Sequence, residues 1–182
     1  EKLLSGASES TVYQIAKELG LEIGESRTAI TDGLRCYLAA TGFGFASDDF
    51  ERALSYLRSD TDQAIGSASS TLESICKEIL DQFGEAYPKD ESLSSLVKTV
   101  SRKMELTPDA HADADIKQVL GGLINASVGI GVLRTKYSGF HGKGQEHRRW
   151  RLAQRHARLA VNAMATVGLF LLETFKARFG AD

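Results

Sequence analysis

The sequence predicts an all-α fold, a helical bundle preceded by an N-terminal helical appendage. Three observations carry this. Apolar residues recur at three- and four-residue intervals through most of the 182 residues. Only two prolines interrupt them. Runs of β-branched residues long enough for strands are few. A hydrophobic fraction of 42% with 25% charged residues fits an ordinary folded domain. A chain of this length can bury a core without staples.

Taken in order, Thr11 to Leu19 has helical spacing through Val12, Ile15, Ala16 and Leu19, with Ser10 as N-cap and Gly20 as stop. Glu25 to Ala40 reads as a second helix with Ile30, Leu34, Tyr37 and Leu38 on one face. Thr41 to Ala46 reads as a glycine-aromatic loop, because Gly42 and Gly44 belong to no phosphate-binding motif. Ser47 or Asp48 then caps a short helix through Phe50, Leu54 and Leu57. Asp60 to Phe83 is one long helix ended by Gly84, and a capping box of Ser70 with Glu73 would break it near Ser69 and Ser70. Leu93, Leu96, Val97, Val100 and Met104 mark the next helix, and Thr107 with Pro108 starts another.

Ala112 to Tyr137 is a long helical segment carrying four glycines: Gly121, Gly122, Gly129 and Gly131. Each costs roughly 1 kcal/mol against alanine, which predicts that they allow close approach of a neighbouring helix. The last element runs from about Gln154 to Phe179 through Leu159, Ala160, Ala163, Val167, Phe170, Leu171, Thr174 and Phe175. The weakest join lies near Leu57 to Asp62. It divides residues 1–59, the appendage, from residues 60–182, the main helical domain.

Cys36 and Cys76 form no CxxC or metal spacing, so the chain reads as a cytoplasmic protein of a reducing compartment. Cys76 falls in an apolar stripe and is expected to be a buried thiol. No apolar run approaches the ~18 residues of a spanning helix, and no membrane association is expected.

Charge is concentrated in one stretch, Arg134 to Arg158. It holds eight cations (Arg134, Lys136, Lys143, Arg148, Arg149, Arg151, Arg155 and Arg158) and one acid, Glu146, whereas the whole chain has net charge −2. His141, His147 and His156 lie there too. A basic, histidine-bearing segment between apolar helices, in an otherwise acidic chain, points to a polyanion. Arg134 ends the long helix, and Gly139 and Gly142 let the following loop bring His141 back beside it. An arginine can hold a phosphate oxygen by two hydrogen bonds and oppose charge growing at the transition state. Imidazole moves protons near neutrality. RNA supplies its own 2′-OH nucleophile, and the loop carries neither HExxH nor a carboxylate cluster, so the reading calls for no metal and no cofactor.

Plainer roles exist for the same residues. An arginine at a helix C-terminus complements the dipole, and helix-surface cations are commonly only solvated. Trp150 suits base stacking or packing of the loop. His111 sits at an acidic helix start, and His156 and Asn162 either face the loop or cap polar groups.

The stretches LESICKEIL (Leu72 to Leu80), LGGL (Leu120 to Leu123), LRTKYSGFHGKG (Leu133 to Gly144) and RHARLAVNA (Arg155 to Ala163), in that order, resemble the C-terminal domain of abortive-infection proteins, a branch of the HEPN superfamily. The resemblance spans roughly Asp60 to Phe179. It implies a HEPN-like helical bundle, often a homodimer with two Arg–His pairs meeting in a composite active site. It further implies a metal-independent endoribonuclease of phage defence or a toxin, which can have an antitoxin or defence partner. Arg134 and His141 match the family's Arg-to-His motif at its upper spacing, while Thr135 replaces the usual Asn, Asp or His. Arg134 and His141 are then the catalytic residues. Lys136, Lys143, Arg148, Arg149, Arg155 and Arg158 are the RNA-binding ones. The alternative is a non-catalytic HEPN-like dimerisation or nucleic-acid-binding module. Residues 1–59 resemble no family.

Overall fold

A computed structural model describes residues 29–106, 114–137 and 152–180. The expected helix at Thr11–Leu19, the Thr107–Pro108 helix start and the loop bearing His141 lie outside these residues. The described chain is all-α, with six helices: α1 (Ala29–Thr41), α2 (Gly44–Tyr56), α3 (Thr61–Gln82), α4 (Leu93–Lys103), α5 (Ala114–Tyr137) and α6 (Gln154–Phe179).

The bundle is built around α3. Its start is fixed by Asp60, whose Oδ1 accepts from the backbone N–H of Asp62 at 3.1 Å and of Gln63 at 3.0 Å. Its end is fixed by Gly84, whose φ of +64° suits glycine. Ala64, Ile65, Ala68, Leu72, Ile75, Cys76, Ile79 and Leu80 are all essentially inaccessible to water. Cys76 is thus the buried thiol expected, and burial pushes its pKa well above the usual thiol range. The helix runs unbroken through Ser69 and Ser70. No capping box forms there, because Glu73 turns outward to an arginine of α5 and takes the Ser69 hydroxyl with it.

Contacts around α3 fix the directions of its neighbours. α6 runs parallel to it: Ile75 meets Gly168, and Phe83 packs edge-on against Phe175 and Phe179 at 5.3 and 5.0 Å. A Cβ at Gly168 would lie 2.9 Å from Ile75 Cδ1, so the missing side chain leaves room for Ile75 between the two helices. α4 also runs with α3, tied at its start by Lys77–Glu91 and at its end by Lys103–Glu85. Ser92 caps α4, accepting from Ser95 N–H at 3.2 Å. α5 runs the opposite way, since Gly131 faces Leu93 while Leu120 and Leu123 share a cleft with Ser101 and Leu106. α1 and α2, which the sequence assigns to the appendage, put Leu34, Leu38, Phe50 and Ala53 into the same core cluster as α3. Tyr37 on α1 also donates to the Leu172 carbonyl of α6 at 3.1 Å.

Three expectations are corrected. α2 begins at Gly44, ahead of Ser47, and only Gly42 (φ +74°) and Phe43 connect it to α1. Phe43 offers no capping side chain. The Glu78 carboxylate of α3 serves instead, accepting from the backbone N–H of Ala46. A cap supplied from 32 residues away is invisible to local capping rules. The α5 glycines do not mark a close helix crossing: a Cβ at Gly121, Gly122 or Gly129 would meet nothing within 4 Å, and only Gly131 touches a side chain, Leu93. Finally, α5 and α6 are long and apolar enough to cross a membrane by length and composition alone. Scattered Thr, Ser and Gly residues break the apolar runs without lowering the average hydropathy much. α6 is a core helix, with Val161, Met164, Ala165 and Leu172 buried.

Glu78 has a measurable consequence. Burial, with a smaller push from Asp81, raises its carboxyl from 4.5 to about 6, against the pull of the Ala46 N–H. Among the described residues its buried Oε2 has no hydrogen-bond partner. The folded chain therefore holds this proton more tightly than the unfolded chain. That contribution favours folding at low pH and is lost as pH rises from about 4.5 through about 6. Glu78→Gln should thus gain thermal stability relative to the parent as pH rises across that window. A difference in melting temperature that does not change with pH would contradict the assignment.

Candidate functional site

α5 ends in the sequence Arg134-Thr-Lys-Tyr137, and its last turn carries the first cations of the basic stretch. Arg134 is half-buried. Its Nη1 donates to Glu73 Oε1 on α3 at 2.5 Å, and Ser69 Oγ approaches the same oxygen at 3.4 Å. The side chain of Arg134 is 39% exposed and that of Glu73 25%. One edge of the guanidinium is thus anchored while part of the group stays open to solvent. Such an arrangement removes the rotational freedom that a surface arginine would have to give up on binding an anion. Thr135 is exposed, and its hydroxyl donates back to the Gly131 carbonyl at 3.0 Å. Lys136 is exposed.

The ion pair lines an open cavity of about 390 Å³ between α3, α5 and the start of α4. Leu93, Val128 and Val132 supply apolar walls, and Ser69, Ser94 and Thr135 supply hydroxyls. The volume falls at the lower end of small-ligand sites, and apolar walls with a few placed polar groups are their usual composition.

Arg155 and Arg158 lie in the first turns of α6, the former exposed and the latter half-buried. Because α5 and α6 run antiparallel, these two arginines and Arg134 lie toward the same end of the bundle. His156 belongs to this turn but serves the helix start: its Nδ1 accepts from Ala153 N–H at 2.9 Å. Of its two expected roles, capping is the one found, and Asn162 is exposed. His141, Lys143, Arg148, Arg149, Trp150 and His111 lie outside the described residues. Glu73, which local capping rules pair with Ser70, is instead bonded across the bundle to Arg134. Only its place on an otherwise apolar stripe hinted at a partner across the bundle.

A second feature is the outer face of α5. Gly122, Asn125, Gly129 and Val132 succeed one another at three- and four-residue spacing, and all are exposed. Val119 is 61% exposed beside them, and Leu159 of α6 is 66% exposed. Large exposed apolar side chains grouped on a helix face are uncommon on a surface that meets only water.

The Glu73–Arg134 pair should show a coupling of about 1 kcal/mol in a double-mutant cycle of Glu73→Ala and Arg134→Ala read by urea unfolding, above an exposed surface pair because both groups are partly buried. Strictly additive effects would mean that the pair does not hold the guanidinium.

Residues 45–175 match the family described as Abi_C, HEPN-like domain. Among curated proteins and among solved structures no match is found.

Proposed function

From its membership of the Abi_C family of HEPN-like domains, and from the placement of Arg134, we propose that this chain is a metal-independent endoribonuclease of phage defence or a toxin. The observation that carries the reading is Arg134 itself, a guanidinium anchored on one side by Glu73 and open on the other, at a helix end beside a cavity. In this reading the open edge holds a non-bridging oxygen of the scissile phosphate and opposes the charge that develops on it. His141 takes the proton of the 2′-OH, or supplies one to the leaving oxygen. The 2′-oxygen bonds to phosphorus, the bond to the 5′-oxygen breaks, and that oxygen leaves protonated. The products are a 2′,3′-cyclic phosphate and a 5′-OH. Lys136, Lys143, Arg148, Arg149, Arg155 and Arg158 guide the strand through its phosphates.

The outer face of α5 supports a homodimer. Its 3–4 spacing is that of helices crossing at a shallow angle, and glycine at two of its positions lets a second backbone approach. A second copy seated there brings a second Arg134 into one composite site. The runner-up reading, a non-catalytic dimerisation or nucleic-acid-binding module, draws on Thr135, whose hydroxyl is spent on Gly131 and adds no polar group to the motif.

Two measurements test the proposal. His141→Ala should abolish cleavage of RNA in chelator-containing buffer while leaving RNA affinity within about twofold, as expected of a group acting only on protons. Equal cleavage by the variant would reject the catalytic role, and binding without cleavage by the parent would select the module. Val119→Glu should convert a dimer to a monomer in sedimentation, since it places a charge in an apolar contact. A parent that sediments as a monomer would reject the dimer.

A further inference from the structure

The cavity beside Arg134 is larger than contact with one phosphate oxygen requires. At about 390 Å³ and ~30 Å³ per water molecule, it has room for roughly a dozen water-sized groups. Its charge is also unbalanced. Arg134 and Lys136 line it against a single acid, Glu73, whose Oε1 already takes Arg134 and Ser69. Among the described residues Lys136 has no acidic partner, so its positive charge is left for a ligand. The walls are aliphatic, from Leu93, Val128 and Val132, with hydroxyls at Ser94 and Thr135. Thr135 spends its hydroxyl proton on the Gly131 carbonyl, but its oxygen can still accept. No aromatic ring among the described residues lines the cavity, and stacking on such rings is a common way of holding a splayed base. The occupant that fits is an anion with an aliphatic frame and hydroxyl groups. A phosphate alone leaves most of the space to water, and a whole nucleotide exceeds it.

We infer that this cavity holds a ribose phosphate, that of the nucleotide next to the scissile phosphate, and grips it by its backbone without regard to its base. This rests on the ribonuclease reading for the identity of the strand. Lys136 takes the phosphate of that nucleotide. Leu93 and Val128 cover the sugar carbons, and the Ser94 and Thr135 hydroxyls meet those of the sugar. The base extends past the open mouth. Arg134 stays on the scissile phosphate, so the last turn of α5 holds two neighbouring phosphates. Contacts of this kind fix the register of a strand and carry no sequence information.

The test titrates the full chain, followed by NMR, with ribose 5-phosphate, inorganic phosphate and the 5′-monophosphates of uridine and guanosine. None of them contains an internucleotide bond. Ribose 5-phosphate should bind about tenfold or more tighter than inorganic phosphate, because only the sugar fills the cavity. The two nucleotides should agree within about threefold, since the base stays outside. Lys136 is exposed, so Lys136→Gln leaves the fold intact, and it should weaken ribose 5-phosphate about fivefold or more. Ser94→Trp, at the α4 start, should fill the cavity and bring ribose 5-phosphate down to the level of inorganic phosphate. Equal affinities for ribose 5-phosphate and phosphate would overturn the inference. So would a preference of about tenfold between the two nucleotides, or unchanged affinity in both variants. In His141→Ala, a short unmodified RNA should displace ribose 5-phosphate. A probe that RNA leaves in place would assign the cavity to a free sugar phosphate and overturn its place on the strand. Displacement by RNA that the parent does not cleave would keep the subsite and remove the nuclease. Cleavage by a parent that ignores ribose 5-phosphate would do the reverse.

Discussion

α3 has no solvent-exposed position between residues 61 and 80, and this is the constraint on which the rest of the molecule depends. Half of a normal amphipathic helix can leave its polar groups to water. A helix packed against α2, α4, α5 and α6 leaves its polar side chains at most half-exposed, and each one that loses water without a partner costs a few kcal/mol. The partners are visible. Ser74 donates to the buried Asp49 of α2 at 3.2 Å. Lys77 pairs with Glu91. Glu78 meets the uncapped start of α2, and Glu73 meets Arg134. Each of these polar residues fixes one neighbouring element against the central helix.

Two of these contacts matter beyond stability, for opposite reasons. At Glu78 the geometry is incomplete: among the described residues one buried oxygen has no partner, and the carboxyl holds its proton unusually tightly. At Glu73 the carboxylate is better served, and its partner is Arg134, the residue to which the proposed function gives the phosphate. The apolar core thus positions a cation indirectly. It buries the stripe of α3 that contains Leu72 and Ile75, and Glu73 is left with one accessible direction, toward the end of α5.

Much of the fold is legible in the sequence. Every helix among the described residues coincides with a segment of 3.6-residue periodicity, and Asp60 and Ser92 cap where local rules place a cap. What could not be read was non-local. The start of α2 depends on a carboxylate 32 residues downstream, and Ser70 with Glu73 mimics a capping box whose glutamate is engaged elsewhere. The α5 glycines follow the same rule in reverse. Glycine in a helix suggests a neighbour, but which side the neighbour occupies is not written in the spacing, and here Gly122 and Gly129 face outward while Gly131 faces Leu93. For the site, Arg134 and its helix-end position were readable from the charge pattern and the family resemblance. The cavity and the Glu73 anchor were not, since they join α3, α4 and α5 across more than 60 residues.

The decisive contact is that of the Arg134 guanidinium with an RNA phosphate while it remains bonded to Glu73. Nitrogen-detected NMR of the arginine side chains, recorded with and without a short RNA made uncleavable by 2′-O-methylation, observes this directly. On binding, the Arg134 resonances should shift and sharpen while the hydrogen-bonded Nη1 signal persists, and both changes should vanish in Glu73→Ala. Arg134 resonances that do not respond to an RNA which other residues bind would contradict this contact.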